Sequence, residues 1–314
     1  MGSPEGGPRP CNLRDWRNSM SQLYIVSTPI GNLADITHRA VEVLGTVDRI
    51  LAEDTRRTRT LLRHYGIGTP LVSAHEHNEA ARAEQVVAWL DAGETLALVT
   101  DAGTPLISDP GARIVQRAAA AGHTVTPVPG ASALLTALVG SGLDVGAFTF
   151  LGFTPRSGRA RAERLAEIAS APHTVVLYES PVRLADLLAE LERLCGGERA
   201  VVVARELTKV HETFFRGTLG EAARYYAGDA ARGEVVVVVA GRSPAVDAAD
   251  PEADARARTR ALLAQGLRPS AVARAVADAA GIARNRAYEL ALALAREADQ
   301  PQDDGTGAEG AREG

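Results

Sequence analysis

Lysine is nearly absent from this 314-residue chain: it occurs once, at Lys209, in a sequence otherwise rich in arginine. Arginine cannot accept a proton near neutral pH, whereas a desolvated lysine can. The one lysine is therefore a residue to watch. Cysteine is almost as scarce. Cys11 and Cys195 stand far apart, which excludes a disulfide framework and cysteine metal spacing. No apolar run approaches a membrane span, and the first residues lack the charged-then-apolar pattern of a signal peptide. The expected setting is reducing and cytoplasmic, with no membrane partner. Positive charge is not in excess either. The formal net charge is −5, so any grip on nucleic acid must rest on local arginine clusters. Two phosphate-binding fingerprints are missing where they would count. No G-x-G-x-x-G follows an expected strand, and there is no G-x-x-x-x-G-K-[ST]. A Rossmann dinucleotide or methyltransferase fold and P-loop hydrolysis both lose support.

What is present is a globular α/β pattern. Hydrophobic residues make up 46% and charged residues 23%, ordinary for a soluble protein long enough for two domains. Short continuous apolar runs, the signature of strands buried on both faces, fall at 23–28, 48–53, 70–74, 95–100 and 124–129. A second set falls at 148–153, 173–180, 198–208, 213–219 and 234–240, with helical stretches between most of them. The close pair 198–208 and 213–219 suggests an antiparallel hairpin. The expected organisation is a disordered tail at 1–21, domains at 22–130 and 131–242, a helical RNA-binding-like extension at 250–297 and a second tail at 298–314. Met20 is an alternative start. Three short helices are expected in the helical region, and 270–288 has helix-turn-helix spacing that any small bundle shares.

The loops at strand ends carry the chemistry. Asp101-Ala-Gly-Thr-Pro-Leu-Ile-Ser-Asp-Pro-Gly111 follows the run 95–100. Its glycines allow close backbone approach to a ligand and its prolines fix its shape. In open α/β sheets ligands bind beyond the carboxyl ends of strands. Ser27-Thr-Pro-Ile-Gly-Asn32 and Pro129-Gly-Ala-Ser-Ala133 are similar loops at other strand ends. Glu53 and Asp54 end the run 48–53, with Asp54 equally readable as a helix N-cap. Arg56, Arg57, Arg59, Arg63 and His64 then form a basic run, either a solvated face or a phosphate-contacting patch. Arg156, Arg159, Arg161 and Arg164 form another. Arg205-Glu206-Leu-Thr-Lys209-Val-His-Glu212 places charges at a strand end, costly unless they pair or face a cleft. His75-x-His77 raises a different reading, a metal-dependent hydrolase with Asp101 as a further ligand. A third reading is an RNA-binding module without catalysis.

Eight motifs occur in a fixed order: Thr28-Pro-Ile-Gly-Asn-Leu33, Glu53-Asp-Thr-Arg56, His75-x-His-Asn-Glu79, Asp101-Ala-Gly-Thr-Pro-x-Ile-Ser-Asp-Pro-Gly111, Pro129-Gly-x-Ser132, Gly152-Phe-x-Pro-Arg156, Tyr178-Glu-Ser-Pro181 and Glu206-x-Thr-Lys209. Together they resemble the ribosomal small-subunit methyltransferase I family, within the tetrapyrrole methylase superfamily, over about residues 22–242. The resemblance implies a two-domain α/β fold with an inter-domain cleft and a small C-terminal helical region. It implies S-adenosylmethionine as methyl donor, a homodimer, and 2′-O-methylation of a cytidine in the decoding centre of 16S rRNA. By motif it assigns donor contacts to Pro29, Gly31, Asp101, Gly103, Thr104, Ile107, Ser132, Ala133, Leu151, Tyr178, Arg205 and Thr208. Other members of the superfamily act on porphyrin-like rings or a protein side chain, so the fold does not fix the acceptor. The arginine clusters favour RNA, with Arg56, Arg57, Arg156 and Arg159 as contacts. A ribose hydroxyl reacts when its proton is removed or shared. Lys209 is the favoured acceptor, backed by Glu206 or Asp54.

Overall fold

The computed structural model describes residues 21–228, 232–242 and 251–299. Cys11, Met20 and most of both expected tails lie outside the described residues. The chain divides into two compact units. One is 1–137 together with Glu206–Thr213, and the other is 138–205 with 214–314. The boundary thus falls inside a helix, past the expected break near 130, and Glu206–Thr213 joins the first unit.

The first unit is a doubly covered parallel sheet. Its strands are β1 (Gln22–Val26), β2 (Arg49–Ala52), β3 (Leu71–Ser73), β4 (Leu96–Val99) and β5 (Thr124–Val128). Their order is β3-β2-β4-β1-β5, every pair parallel. The connecting helices are α1 (His38–Thr46), α2 (Thr55–His64), α3 (Glu79–Asp91) and α4 (Ala112–Ala120). Side chains alternate across the sheet as a strand's period of two requires. Tyr24, Val26, Ile50, Ala52, Ala97 and Val99 pack on one side with Ala40, Val43 and Leu44 of α1 and Leu62 of α2. Leu23, Ile25, Leu51, Leu96 and Leu98 pack on the other with Val86 and Leu90 of α3 and Ile114 and Ala118 of α4. Burial on both faces explains the unbroken apolar runs.

After α5 (Ala133–Ser141) comes the second sheet: β6 (Phe148–Phe153), β7 (Thr174–Glu179), β8 (Ala200–Arg205), β9 (Thr213–Thr218) and β10 (Val235–Val239). The order is β6-β7-β10-β8-β9. β6 and β7 run parallel, and β10 is antiparallel to both β7 and β8. The close pair expected from sequence, β8 and β9, are neighbours. Helices α6 (Gly158–Ser170), α7 (Leu184–Cys195) and α8 (Leu219–Tyr226) cover this sheet. The region beyond forms α9 (Pro251–Ala264), α10 (Pro269–Ala280) and α11 (Arg284–Asp299). These three are continuous with the core of the second unit: Leu262, Val272, Val276 and Leu290 share one cluster with Leu165, Ile168, Leu191 and Leu194. Gly281 closes α10 in the left-handed conformation (φ 64°), the usual glycine stop. Among the described residues no helix is long and apolar enough to cross a membrane.

Candidate active site

In the first unit the loops after β1, β4 and β5 are laced together at the carboxyl edge of adjacent strands. Thr28 and Gly103 exchange backbone hydrogen bonds, Thr28 N–H to Gly103 O at 2.8 Å and Gly103 N–H to Thr28 O at 3.1 Å. Thr28 also donates its hydroxyl to Thr100 O at 3.1 Å. The Ser27 and Thr104 hydroxyls lie 3.1 Å apart, and Thr104 reaches Ala131 O at 3.3 Å. Gly130 sits against Ser27, where an added Cβ would come within 2.9 Å of the serine Cβ. Pro29, Gly31, Asp101, Gly103, Thr104 and Ser132 thus belong to three loops at one sheet edge, and Ala133 opens the helix that follows the third. Ile107, at the tip of the β4 loop, is exposed. Leu151, Tyr178 and Arg205 belong to the second unit, on β6, β7 and β8.

The turn Glu206–Thr213 is held against the β1 loop. A Cβ on Gly31 would lie 2.5 Å from Lys209 Cγ, 2.9 Å from Thr208 Oγ1 and 3.0 Å from Leu207 O. Lys209 Nζ donates to Glu206 Oε1 at 2.9 Å, and the Thr208 N–H donates to Glu212 Oε2 at 2.6 Å. Both Lys209 and Glu206 are mostly withdrawn from solvent. Backbone strain gathers here. Four non-glycine residues among those described have positive φ: Leu106 (75°) and Ser108 (67°) in the β4 loop, Glu206 (50°) and Thr208 (64°) in this turn. Such conformations, unusual above all for a β-branched threonine, cost roughly 1–3 kcal/mol each and cluster at ligand sites.

Carboxylates form a second feature of the edge. Asp54 caps α2, accepting from the Arg56 N–H at 2.8 Å, and grips the Arg56 guanidinium through both oxygens at 3.1 and 2.7 Å. The Arg56 guanidinium holds the Asp54 carboxyl well below the usual carboxylate range. With both oxygens engaged, Asp54 is poorly placed to take a proton. Its own N–H donates to Asp101 Oδ1 at 3.0 Å, and Arg57 stands 3.5 Å from Asp101 Oδ2. Burial pushes the Asp101 carboxyl up. Glu53 accepts from the Thr100 hydroxyl at 2.9 Å. Asp109, beside the same hydroxyl, is pushed up to about 6, first by burial and then by the charges of Glu53 and Asp101. The sequence reading passes over Asp109, because Asp-Pro-Gly looks like turn chemistry alone.

Within the His75–Glu79 motif, Asn78 and Glu79 hold backbone. Asn78 Oδ1 accepts from the His75 N–H at 2.9 Å. Glu79, 8% exposed, accepts from the Gly111 N–H at 3.0 Å and the Arg113 N–H at 2.8 Å. It therefore caps α4 from outside, where Gly111 has no side chain to do so. Among the described residues no three His, Cys, Asp or Glu side chains come together to hold a metal. Of the arginine candidates, Arg56 is tied to Asp54 and Arg159 to Glu163 at 2.7 Å. Arg156 is exposed on the loop before α6.

The sequence matches the Tetrapyrrole (Corrin/Porphyrin) Methylases family over residues 22–223. It is 46% identical over 275 residues to the "Ribosomal RNA small subunit methyltransferase I" of Synechocystis sp., covering 88% of this chain and 99% of that protein. The protein of the same name from Xylella fastidiosa (strain Temecula1) is 48% identical over 85% of this chain and 97% of its own length. Among solved structures, a diphthine synthase superposes with a TM-score of 0.57 at 15% identity, over 71% of this chain and 91% of that one. The uroporphyrin-III C-methyltransferase of Thermus thermophilus, solved with S-adenosylhomocysteine, gives 0.53 at 19% identity, over 70% and 97%. At such identities these structures speak for the fold.

Proposed function

The chain belongs to the tetrapyrrole methylases, and within them to the ribosomal RNA small subunit methyltransferase I family, and from that membership we propose that it methylates the 2′-oxygen of a cytidine ribose in the decoding centre of 16S rRNA. It is a methyltransferase, and S-adenosylmethionine is its donor. The observation that carries the reading is the laced edge of the first sheet with the Glu206–Lys209 turn seated on Gly31.

The residues at that edge fit the donor. S-adenosylmethionine, when bound, supplies a methyl group on a positively charged sulfur. Glu53, Asp101 and Asp109 give the edge a negative field suited to a cationic ligand. The Thr28–Gly103 exchange ties the β1 and β4 loops together, and fixed geometry is where much of the acceleration of a group transfer originates. We assign donor holding in the first unit to Pro29, Gly31, Asp101, Gly103, Thr104, Ile107, Ser132 and Ala133, with Thr208 from the turn. Lys209, as the neutral amine after giving its own proton to solvent, takes the proton of the ribose hydroxyl, and Glu206 fixes where its Nζ points. Asp54 orients Asp101 through its N–H and holds Arg56. The working enzyme is proposed to be a cytoplasmic homodimer.

The test uses small ribosomal subunits from a strain lacking this activity, incubated with the purified protein and labelled donor. Label on one cytidine ribose of 16S rRNA is expected. Label on a base, on another molecule or on nothing overturns the assignment.

A further inference from the structure

The second unit holds a groove of about 960 Å³ that the proposed chemistry does not use. Its walls come from the start of α6, from α7, and from the turn between α9 and α10. Six arginines line it (Arg156, Arg159, Arg161, Arg183, Arg193 and Arg268) against the carboxylates Asp186 and Glu190. This concentration of positive charge stands out in a chain of net charge −5.

The six divide into two sets. Arg161 is buried and bound to Glu190, Thr154 and Pro155 O. Arg183 is bound to Glu179 and to Thr154 O, and Arg159 pairs with Glu163. These three build the wall. Arg156, Arg193 and Arg268 are exposed and have no carboxylate within salt-bridge distance among the described residues. Two helices also begin at the groove. Neither α6, with Ser157 at its N-cap, nor α10, with Arg268 at its N-cap, has a side-chain cap. Their first N–H groups and dipoles add to the attraction for anions.

The lining contains no aromatic residue. Single-stranded bases are held largely by stacking on aromatic rings, so this groove is unsuited to reading bases. Helical RNA is recognised instead through its phosphates and 2′-hydroxyls. We propose that this groove holds the phosphodiester backbone of a helical rRNA segment, with Arg156, Arg193 and Arg268 at the phosphates. This placement rests on the rRNA reading above and adds where the substrate's backbone lies on the second unit.

The experiment measures affinity for a 16S rRNA fragment against salt concentration, for the wild type and R193Q/R268Q. Removing one arginine from a duplex phosphate lowers the slope of log K against log salt by about 0.9. The double variant is expected to lower the slope by about 2 while its affinity for S-adenosylmethionine is unchanged. R193K/R268K keeps the charges and is expected to keep the slope. R113Q/R117Q, an equal removal of charge on α4, controls for net charge and is expected to keep it too. An unchanged slope in R193Q/R268Q overturns the groove. So does an equal decrease in R113Q/R117Q, or a decrease in the lysine variant. Wild-type protein that transfers no methyl to rRNA overturns the functional reading instead, so the two failures are distinguishable.

Discussion

Gly31 and Lys209 touch across 178 positions of sequence, so closely that the glycine has no room for a methyl group. Its added Cβ would fall 2.5 Å from Lys209 Cγ and 3.0 Å from the carbonyl oxygen of Leu207. The requirement here is close approach, since Gly31 is not among the positive-φ glycines. Gly31→Ala must push the turn off the loop or strain both. We expect the fold to survive with a loss of about 1–3 kcal/mol, typical of overpacking. Methyl transfer should drop at least tenfold, because small displacements of a reacting group are costly. Thermal unfolding and single-turnover rates measured on one preparation check both parts. Full activity in the alanine variant would detach the turn from catalysis.

Lys209→Met keeps much of the side chain's length and removes the amine. If Lys209 takes the proton, donor affinity should hold within about twofold while turnover falls at least tenfold, roughly 1.4 kcal/mol of barrier. Lys209→Arg keeps the charge beside Glu206 but cannot accept a proton near neutral pH, so it should not restore turnover. Recovery in the arginine variant would make the residue a positioning charge. Calorimetry for the donor and rapid-quench transfer separate the two effects.

Asp109 gives a pH-dependent expectation. Its carboxyl is raised from 3.8 to about 6 in the folded chain, so the folded state holds this proton more tightly than the unfolded one. The resulting stability is fully present below about pH 4 and is lost as the pH rises through about 6. Asp109→Asn removes that loss. It should raise stability at pH 8 and change little at pH 4. Denaturant midpoints at both values test it. Equal gains at both would mean that the effect is not ionisation.

Glu79 is a wholly structural acid on this view. Its carboxylate satisfies two N–H groups at the start of α4 from a position 8% exposed. Glu79→Ala should cost about 2–4 kcal/mol, combining a missing cap with buried unsatisfied donors. Glu79→Gln, which keeps an acceptor, should cost less. Denaturant unfolding measures both, and a neutral alanine variant would contradict the capping role.

These cases show which parts were legible before the structure. The buried strands could be read because Leu-Ala-Leu-Val at 96–99 and the valines at 235–239 leave no other role for so many apolar residues in so few positions. The ligand loops could be read because Pro and Gly at strand ends have a local geometric meaning. The capping role of Glu79 could not, because its partners lie more than thirty residues away on another helix. Asp109 was hidden for a related reason: only the converging loops reveal that Glu53 and Asp101 are its neighbours. The helices at 250–297 read as an extension, and the sequence did not show that Leu262 and Val276 share the core of α6 and α7. Apolar periodicity announces a buried face without naming what buries it.

The position of β10 bears on how the chain is made. β7 and β8 follow one another in sequence but are not neighbours in the sheet, since the slot between them belongs to Val235–Val239. During synthesis both strands exist, with facing edges unpaired, before the five valines that join them have been added. Open edges of that kind invite pairing with other chains. For that interval the second sheet is two halves awaiting a keystone, and a pause in translation between residues 205 and 235 would prolong the exposure.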